Sequence, residues 1–423
     1  MSEPTNAPVF VVGGPRSGTT LLSAMLAAHP AFDCGPETHC LSRWARLGPR
    51  ERGRILDPGD WPERATRYVA SLSLGKKPVY PMYGLTRDDL SSDLAARGPS
   101  VAALLESLTA QRARRANVPR WVEKTPRHLE VPELIMQAWP DARIVRIVRD
   151  PRDAAVSLTR VPFGTESLLT NLSVLARMNE AAAGFYRTAN STYTLRYEDL
   201  IADPEAELTR LCDFIGEPFD AAMIEGREAS GGVAAEHVWW KGDVTGPLDP
   251  SRSGGWTERM PERIQHYAAL NLGEMLEEHG YGTAAEPARR LTVVPAGDAI
   301  SARYDEVLLD LADVDVAIRR PIPTRASALA DADPIVFFGV VGQLDLDRDR
   351  PARARAVDIA RLAGLLLARR LQGRPVFWVR RLSLIRRHRE DGGERAIARL
   401  LQVLTRAAEA EDLPDIASAE EAS

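Results

Sequence analysis

The sequence of 423 residues contains only three cysteines, and their arrangement excludes two kinds of stabilised site. Cys34, Cys40 and Cys212 form neither a disulfide framework nor a zinc-binding pattern. Thiols in this number and spacing are typical of a reducing compartment. We therefore expect three reduced, structural cysteines.

Long hydrophobic runs are also absent. The longest apolar stretches, such as residues 334–341, are far shorter than the roughly 20 residues that a membrane-spanning helix needs. Residues 1–7 lack a basic segment, and the apolar residues 9–12 are too few for the core of a signal peptide. These absences predict a cytoplasmic protein without a membrane span.

Lysine is scarce, because only Lys76, Lys77, Lys124 and Lys241 are found among 54 basic residues. Each lysine either marks a position where a guanidinium would not serve or is simply retained by chance, and the sequence leaves both explanations open. The net charge of −5 argues against general nucleic-acid binding. With 44% hydrophobic and 27% charged residues, the chain is expected to form a large core and two or three domains.

A glycine-rich turn follows the apolar residues 8–12 and carries the strongest signal in the chain. Residues 13–20, GGPRSGTT, have the spacing of a phosphate-binding loop, but Thr19 stands where the lysine is expected. A strand, a turn and a helix at 19–29 would direct backbone amides at an anion. The candidate contacts are Arg16, Ser17, Gly18, Thr19 and Thr20. The alternative is an ordinary glycine turn before a helix.

Strands and helices alternate over the first 200 residues. The pattern predicts strands at 120–123, 141–149 and 193–197 as well as after residue 8, and such alternation is typical of a doubly wound parallel α/β sheet. Residues 32–120 are mostly helical in pattern, with a helix at 101–116, and further helices are predicted at 129–138, 167–187 and 204–214. Towards the C-terminus the pattern predicts strands at 334–341 and 375–384 and helices at 351–371 and 393–411.

These patterns divide the chain into four parts. We expect a main domain at 1–283, whose nucleotide-binding core is formed by 8–31 and 120–256 and whose helical insert is 32–119. A linker at 284–290 follows, then an α+β or mainly helical accessory domain at 291–412. The acidic residues 413–423 are predicted to be a disordered tail.

A second candidate anion site follows the strand at 141–149. Arg149 ends this strand and Ser157 lies in the next helix, so both are expected at one edge of the sheet, where ligands of such folds bind. The alternative is that Arg149 and Arg152 form surface ion pairs with Asp150 and Asp153, which contribute little to stability.

Together these segments resemble the PAPS-dependent sulfotransferases, where PAPS is 3′-phosphoadenylyl sulfate. The similarity lies in PRSGTT, RIVRDPRDAAVS and YTLRYEDLIADP and covers residues 8–256. The stretch PRSGTTLLSAMLAAHP with CGPETH is closest to the tyrosylprotein sulfotransferases and to bacterial relatives, which implies a bacterial member with a P-loop-like fold.

The resemblance implies a role for each matching residue. Arg16 falls on the arginine that contacts the phosphosulfate, and Glu37 on the proposed catalytic base. Lys124 falls on a lysine near the sulfate. Residues implied to bind the nucleotide are Arg149 and Ser157 at the 3′-phosphate and Tyr197 beside the nucleotide.

Two parts of the implied site stay open in the sequence. His39 is a second candidate for the base. Near the end of the similar region the expected basic contact falls on Gly246, so Lys241 or Arg252 must replace it. The three tryptophans of this region are expected either to stack on a ligand or to pack in the core; they are Trp239, Trp240 and Trp256.

The function implied is sulfuryl transfer from PAPS to a hydroxyl group, with adenosine 3′,5′-bisphosphate (PAP) as the product and without a metal. The acceptor is expected to be a small molecule, a glycan or a peptide, and a second copy of the chain is a further expected partner. A nucleotide-dependent kinase would explain the loop but not Thr19. A non-catalytic nucleotide-binding protein is the third alternative, against which Glu37 and Lys124 count.

Overall fold

The structure is a computed structural model that describes residues 7–180, 183–225, 246 and 248–282 and four short strands beyond them. The chain divides into two compact units, which are described separately. The first unit comprises Met1–Glu166 and Val174–Arg259, and the second comprises Ser167–Ser173 and Met260–Ser423.

A five-stranded parallel sheet forms the centre of the first unit, in the order β2-β5-β1-β6-β7. The central strand β1 is buried along its whole length, as expected for a parallel strand covered on both faces. A small antiparallel hairpin, β3-β4, lies apart from the sheet. The strands are β1 Val9–Gly13, β2 Phe32–Cys34, β3 Ser73–Leu74, β4 Lys77–Pro78, β5 Arg120–Lys124, β6 Arg143–Val148 and β7 Thr192–Arg196.

Helices cover both faces of this sheet. They are α1 Thr19–Ala28, α2 Cys40–Arg46, α3 Pro49–Ile55, α4 Glu63–Ser71, α5 Arg87–Arg97, α6 Val101–Glu106, α7 Thr109–Arg115, α8 Pro132–Ala138, α9 Pro151–Leu158, α10 Leu168–Glu180, α11 Ala183–Thr188, α12 Tyr197–Ala202, α13 Pro204–Ile215, α14 Ala222–Glu225 and α15 Trp256–Arg259. Short 3₁₀ helices lie at Tyr80–Tyr83, Pro126–Glu130 and Pro250–Arg252.

The alternation of side chains along β1 separates two hydrophobic cores. Phe10 and Val12 pack in the core that the helical insert covers, whereas Val9 and Val11 pack in the core formed with α1 and α13. The predicted doubly wound α/β fold is therefore confirmed.

Three local predictions need correction. The helix predicted at 101–116 is two helices, α6 and α7, because the chain tightens between them: the Ser107 hydroxyl bonds to the Leu104 carbonyl and the Leu108 amide to the Leu105 carbonyl. The helix predicted at 167–187 begins as α10 and ends as α11, with residues 181–182 outside the described part. Strand β2 was not predicted, since three residues are too few to show a periodic pattern.

The second unit contains helix α16, Glu262–Glu278, and a four-stranded parallel sheet in the order β11-β10-β8-β9. The strands predicted at 334–341 and 375–384 are confirmed in part, at residues 335–338 and 376–379. The predicted helices at 351–371 and 393–411, the tail and most of the linker lie outside the described residues. The four strands are β8 Arg289–Val294, β9 Val316–Arg319, β10 Ile335–Phe338 and β11 Val376–Val379.

Within the described part of the chain, none of the helices combines the length and the hydropathy that crossing a membrane would require.

Candidate active site

The turn between β1 and α1 has a backbone that constrains its residue types. Arg16 and Gly18 both have positive φ, 66° and 99°. A Cβ atom on Gly18 would lie 2.5 Å from the ring of Tyr197, so a side chain is excluded by space as well as by conformation. Ser17 shapes the turn from within, because its hydroxyl donates to the Gly14 carbonyl at 2.6 Å and its amide to the same oxygen at 3.2 Å.

A cavity of about 1300 Å³ opens at the carboxyl end of the central sheet. It brings together every predicted site residue except Ser17 and Lys124, both of which are buried. The predicted residues that line the cavity are Arg16, Gly18, Thr19, Thr20, Glu37, Arg149, Ser157, Tyr197 and Arg252.

One end of the cavity joins the two predicted anion sites through their side chains. Arg16 Nε donates to Ser157 Oγ at 3.0 Å. Arg149 donates from Nη1 to the Arg16 carbonyl at 3.0 Å and from Nη2 to the Arg252 carbonyl at 2.6 Å, and its guanidinium lies 4.7 Å from the centre of the Tyr197 ring. These contacts gather three guanidinium groups around one end of the cavity.

The electrostatics of this end favour an anion. Burial lowers the pKa of Arg16, and the charges of Arg149 and Arg252 lower it further. An arginine nevertheless stays protonated at neutral pH. Arg252 is paired with Asp249 at 3.8 Å, and an anion in the cavity would relieve the repulsion between Arg16 and Arg149. Arg149 Nε is buried and has no hydrogen-bond partner among the described residues. An oxygen of an anion in the cavity would satisfy this atom.

The alternative of surface ion pairs after β6 is wrong in its geometry. Arg152 does pair with Asp150, at 2.7 Å, but it is 2% exposed and its guanidinium lies 3.7 Å from the centre of the Trp256 ring. Asp153 accepts hydrogen bonds from the amides of Gly254 and Trp256. Arg149 bonds instead to backbone carbonyls, as described above.

These contacts hold the segment 249–256 against the start of α9, which places Arg252 at the cavity. Trp256 therefore packs on an arginine of its own chain. Gly246 also lines the cavity. Lys241, Trp239 and Trp240 lie outside the described residues. Of the two candidates for the basic contact, the structure therefore describes only Arg252, which lines the cavity.

Glu37 also lines the cavity. Lys124 Nζ donates to Glu37 Oε1 at 2.6 Å, and the Lys124 side chain is fully buried beneath it. His39 Nε2 lies 3.6 Å from Glu37 Oε2 and also lines the cavity. Burial lowers the pKa of His39, although the carboxylate of Glu37 opposes this effect. At neutral pH the imidazole is therefore uncharged.

The cavity is also lined by positive and apolar residues that belong to neither predicted anion site, and we call them the mixed wall. Its positive residues are Lys76, Lys77, Arg127 and Arg160, and its apolar residues include Met82, Val161, Phe163 and Met178. Lys76 and Lys77 lie at the β3-β4 hairpin, and no ion pair involves them or Arg160 within the described part of the chain. Two of the four lysines of the chain thus line this cavity, and a third holds Glu37.

Sequence reasoning missed a set of buried polar residues next to Glu37. Glu123, in the interior of β5, contacts Thr38, Thr125 and His128. The signal was a carboxylate within a strand whose five residues are all buried. Such a group requires several hydrogen-bond partners.

The comparison with known proteins decides the family. Residues 8–221, just over half of the chain, match the sequence model of the sulfotransferase family. The chain belongs to the sulfotransferase family. The expected enzyme class, a PAPS-dependent sulfotransferase, is thereby confirmed.

Several known proteins are similar to this chain. Protein-tyrosine sulfotransferase 1 of Danio rerio is 26% identical over 296 residues, which cover 66% of this chain and 73% of that protein. Nodulation protein NoeE of Sinorhizobium fredii is 27% identical over 322 residues, covering 70% and 71%. The sulfotransferase domain of the Synechococcus olefin synthase is 23% identical, with coverage of 67% and 99% and a TM-score of 0.46.

Among the described residues, no group of histidine, cysteine, aspartate and glutamate side chains is arranged to hold a metal ion. All three cysteines are free and buried, as expected, and burial raises the pKa of Cys212 to about 12.

Proposed function

We propose that this sulfotransferase moves a sulfuryl group from PAPS to a hydroxyl acceptor, with Glu37 as the base. The observation that carries the proposal is that one cavity joins a cluster of three guanidinium groups to a carboxylate held by a buried lysine. The first feature suits a doubly phosphorylated donor, and the second suits the removal of a proton from an acceptor.

The residues at the guanidinium end fit PAPS. The buried Arg149 Nε without a partner among the described residues suits an oxygen of the 3′-phosphate, together with Ser157. The turn of Arg16, Gly18, Thr19 and Thr20 opens onto the cavity before the N-terminus of α1, which suits the 5′-phosphosulfate. Tyr197, under Arg149, forms the floor between the two.

The reaction is an in-line displacement at sulfur. Glu37 accepts the hydroxyl proton while the acceptor oxygen forms its bond to sulfur. The bond from sulfur to the bridging oxygen breaks, and its electron pair leaves with PAP. By analogy with phosphoryl transfer, fixed cations such as Arg16 stabilise the charge that develops on these oxygens.

Lys124 is assigned to the carboxylate end. Its ammonium binds Glu37 Oε1, so we assign proton acceptance to Oε2. The neutral His39 beside Oε2 is the second candidate for the base. The resemblance also implies that Lys124 assists the departing phosphate, but its side chain is fully buried and does not line the cavity, so we assign Lys124 to Glu37 alone.

The wall of Lys76, Lys77 and Arg160 supports an acceptor that carries negative charge near its hydroxyl group. Phe163, Val161 and Met178 on the same wall support an aromatic or other apolar body. A phenolic acceptor, which the protein-tyrosine sulfotransferases suggest by their name, has this combination when acidic groups flank the phenol. Charged sugars and secondary metabolites are the alternatives.

The donor test separates this function from a kinase. The full chain is incubated with a panel of phenols and sugars and with either ³⁵S-labelled PAPS or γ-³²P-labelled ATP. Transfer of label from PAPS alone supports the proposal. Transfer from ATP alone contradicts it, and binding of PAP without any transfer favours the non-catalytic alternative.

A further inference from the structure

Glu123 is a buried anion that the proposed reaction does not use. Its side chain is fully buried in β5. Burial by itself raises the pKa of this carboxyl group, but the charge interaction with His128 and the hydrogen bonds from His128, Thr125 and Thr38 outweigh it and leave the pKa below its usual value. Glu123 is therefore a carboxylate at neutral pH, and it needs all of its partners to remain so.

The partners of Glu123 are arranged in a fixed order. Its Oε1 accepts hydrogen bonds from Thr38 Oγ1 at 2.8 Å and Thr125 Oγ1 at 2.6 Å. Its Oε2 contacts His128 Nδ1 at 2.8 Å. Since the amide of Leu41 donates to His128 Nε2, this nitrogen is an acceptor and Nδ1 is the nitrogen that donates to Glu123.

The same side chains accept four consecutive backbone amides. Thr125 Oγ1 accepts the amides of Thr38 at 3.1 Å and His39 at 3.2 Å. Thr38 Oγ1 accepts the amide of Cys40 at 3.1 Å, and His128 takes that of Leu41. These amides begin α2, where the helix itself offers no partners.

The backbone at this point adopts a conformation that most side chains avoid. His39 has a φ of 54°, which is uncommon for a residue with a Cβ atom. On the preceding side, the Tyr83 hydroxyl donates to the Pro36 carbonyl at 2.7 Å. Glu37 lies between these two attachments, so its direction depends on both.

We propose that Glu123, Thr125, Thr38 and His128 form a positioning network that directs the Glu37 carboxylate at the acceptor hydroxyl. The inference rests on the proposed role of Glu37. Glu123 fixes the orientation of the hydroxyl groups of Thr38 and Thr125, because each hydroxyl donates its proton to the carboxylate. The lone pairs of each hydroxyl oxygen then face the backbone amides of residues 38–40. Loss of this orientation lets the turn at 37–39 move, and a displacement of about 1 Å at a reacting group lowers the rate by about 100-fold.

Thr125 offers a matched pair of variants. Thr125→Val keeps the shape and removes the hydroxyl, whereas Thr125→Ser keeps the hydroxyl and removes the methyl group. We expect kcat of Thr125→Val to fall by between about 10-fold and 100-fold, with the Kd for PAP within about twofold of the parent, and kcat of Thr125→Ser to stay within about threefold. Thr109→Val is the control, because Thr109 is a buried threonine of α7 that bonds to the Leu105 carbonyl.

Thr38→Val tests the same network and removes fewer hydrogen bonds than Thr125→Val. It replaces Thr125→Val as the test if that variant does not fold. It removes one donor to Glu123 and the acceptor for Cys40, while Thr125 keeps its amide contacts. A folded Thr38→Val protein that binds PAP normally and has a reduced kcat supports the inference.

Two results would overturn the positioning role. One is a folded Thr125→Val or Thr38→Val protein with an unchanged kcat. The other is a Thr125→Ser protein as impaired as Thr125→Val, because the methyl group would then be the important part. Glu37→Gln, measured in parallel, separates this failure from that of the proposed base: if Glu37→Gln is inactive while Thr125→Val is fully active, the network alone is refuted.

Discussion

Lys124 Nζ lies 2.6 Å from Glu37 Oε1, and the lysine side chain is fully buried while that of the glutamate is 15% exposed. The carboxylate of Glu37 therefore lines the cavity, whereas the ammonium of Lys124 does not. One of four lysines in a chain otherwise rich in arginine occupies this position. The ammonium is the more compact of the two cationic groups, and it places its whole charge against Glu37 Oε1.

Replacement of Lys124 should separate catalysis from donor binding. We expect Lys124→Met to lower kcat by about 10²–10³, the range seen when one fixed donor is removed from an active site. Lys124→Arg should recover little of this loss, because the larger group has no space. The Kd for PAP, measured by calorimetry, should stay near the parent value. A Lys124→Arg enzyme with parental kcat would contradict the assignment.

Arg149 should discriminate between nucleotides by their 3′-phosphate. Arg149→Ala removes a half-buried guanidinium with an unpartnered Nε, so PAP should bind about 1.5–3 kcal/mol more weakly. Adenosine 5′-monophosphate, which lacks the 3′-phosphate, should lose much less. Titration calorimetry with both nucleotides measures the difference, and Arg87→Ala, at the exposed start of α5, is the control. Equal losses for the two nucleotides would refute the 3′-phosphate contact.

Gly18 should tolerate no side chain. In Gly18→Ala the left-handed backbone alone costs about 1–2 kcal/mol, and the new Cβ would meet the buried Tyr197 ring at 2.5 Å. We expect a lower Tm and a weaker affinity for PAP. Gly53→Ala is the matched control, since nothing lies within 4 Å of a Cβ in the middle of α3, and it should stabilise the chain by about 0.5–1 kcal/mol. Unchanged PAP binding in Gly18→Ala would show that the turn does not contact the donor.

The contribution of Glu123 to stability should depend on pH. Its pKa is lower in the folded chain than the value of about 4.3 expected when unfolded. The folded state is therefore favoured by the ionised form above about pH 4.3, and this advantage disappears as the pH falls through the lower folded pKa. The difference in Tm between the parent and Glu123→Gln should be constant from pH 8 to pH 5 and narrow below about pH 4. A difference that does not vary over this range would contradict an ionised Glu123.

The sequence allowed the cluster of arginines at the cavity to be predicted because these residues adjoin recognisable turns. Arg16 and Gly18 belong to one loop, and Arg149 and Ser157 to one strand and helix, so parallel strand order suffices to place them at one edge. The contacts of Glu123 were not predictable in this way. They require β5 to lie beside a turn more than 80 residues earlier in the chain, and no motif assigns a role to the threonines and the histidine that are its partners.

The position of Arg252 shows a second limit of prediction from sequence. It reaches the cavity because Arg152 stacks on Trp256 and Asp153 binds the amides of the same segment. The resemblance to the family places the expected basic residue at position 246, which is a glycine. Contacts to the backbone of residues 252–256 do not depend on side-chain identity, so a comparison of motifs does not reveal that Arg252 lies at the cavity.

The central claim is tested most directly by the turnover of Glu37→Gln. The substitution keeps the size of the side chain and a possible contact with Lys124 while removing the proton acceptor. We predict that kcat with PAPS falls by about 10²–10⁴ while the Kd for PAP stays unchanged, and that His39→Asn loses far less. A Glu37→Gln enzyme with near-parental kcat, or a His39→Asn enzyme with the larger loss, would contradict the account.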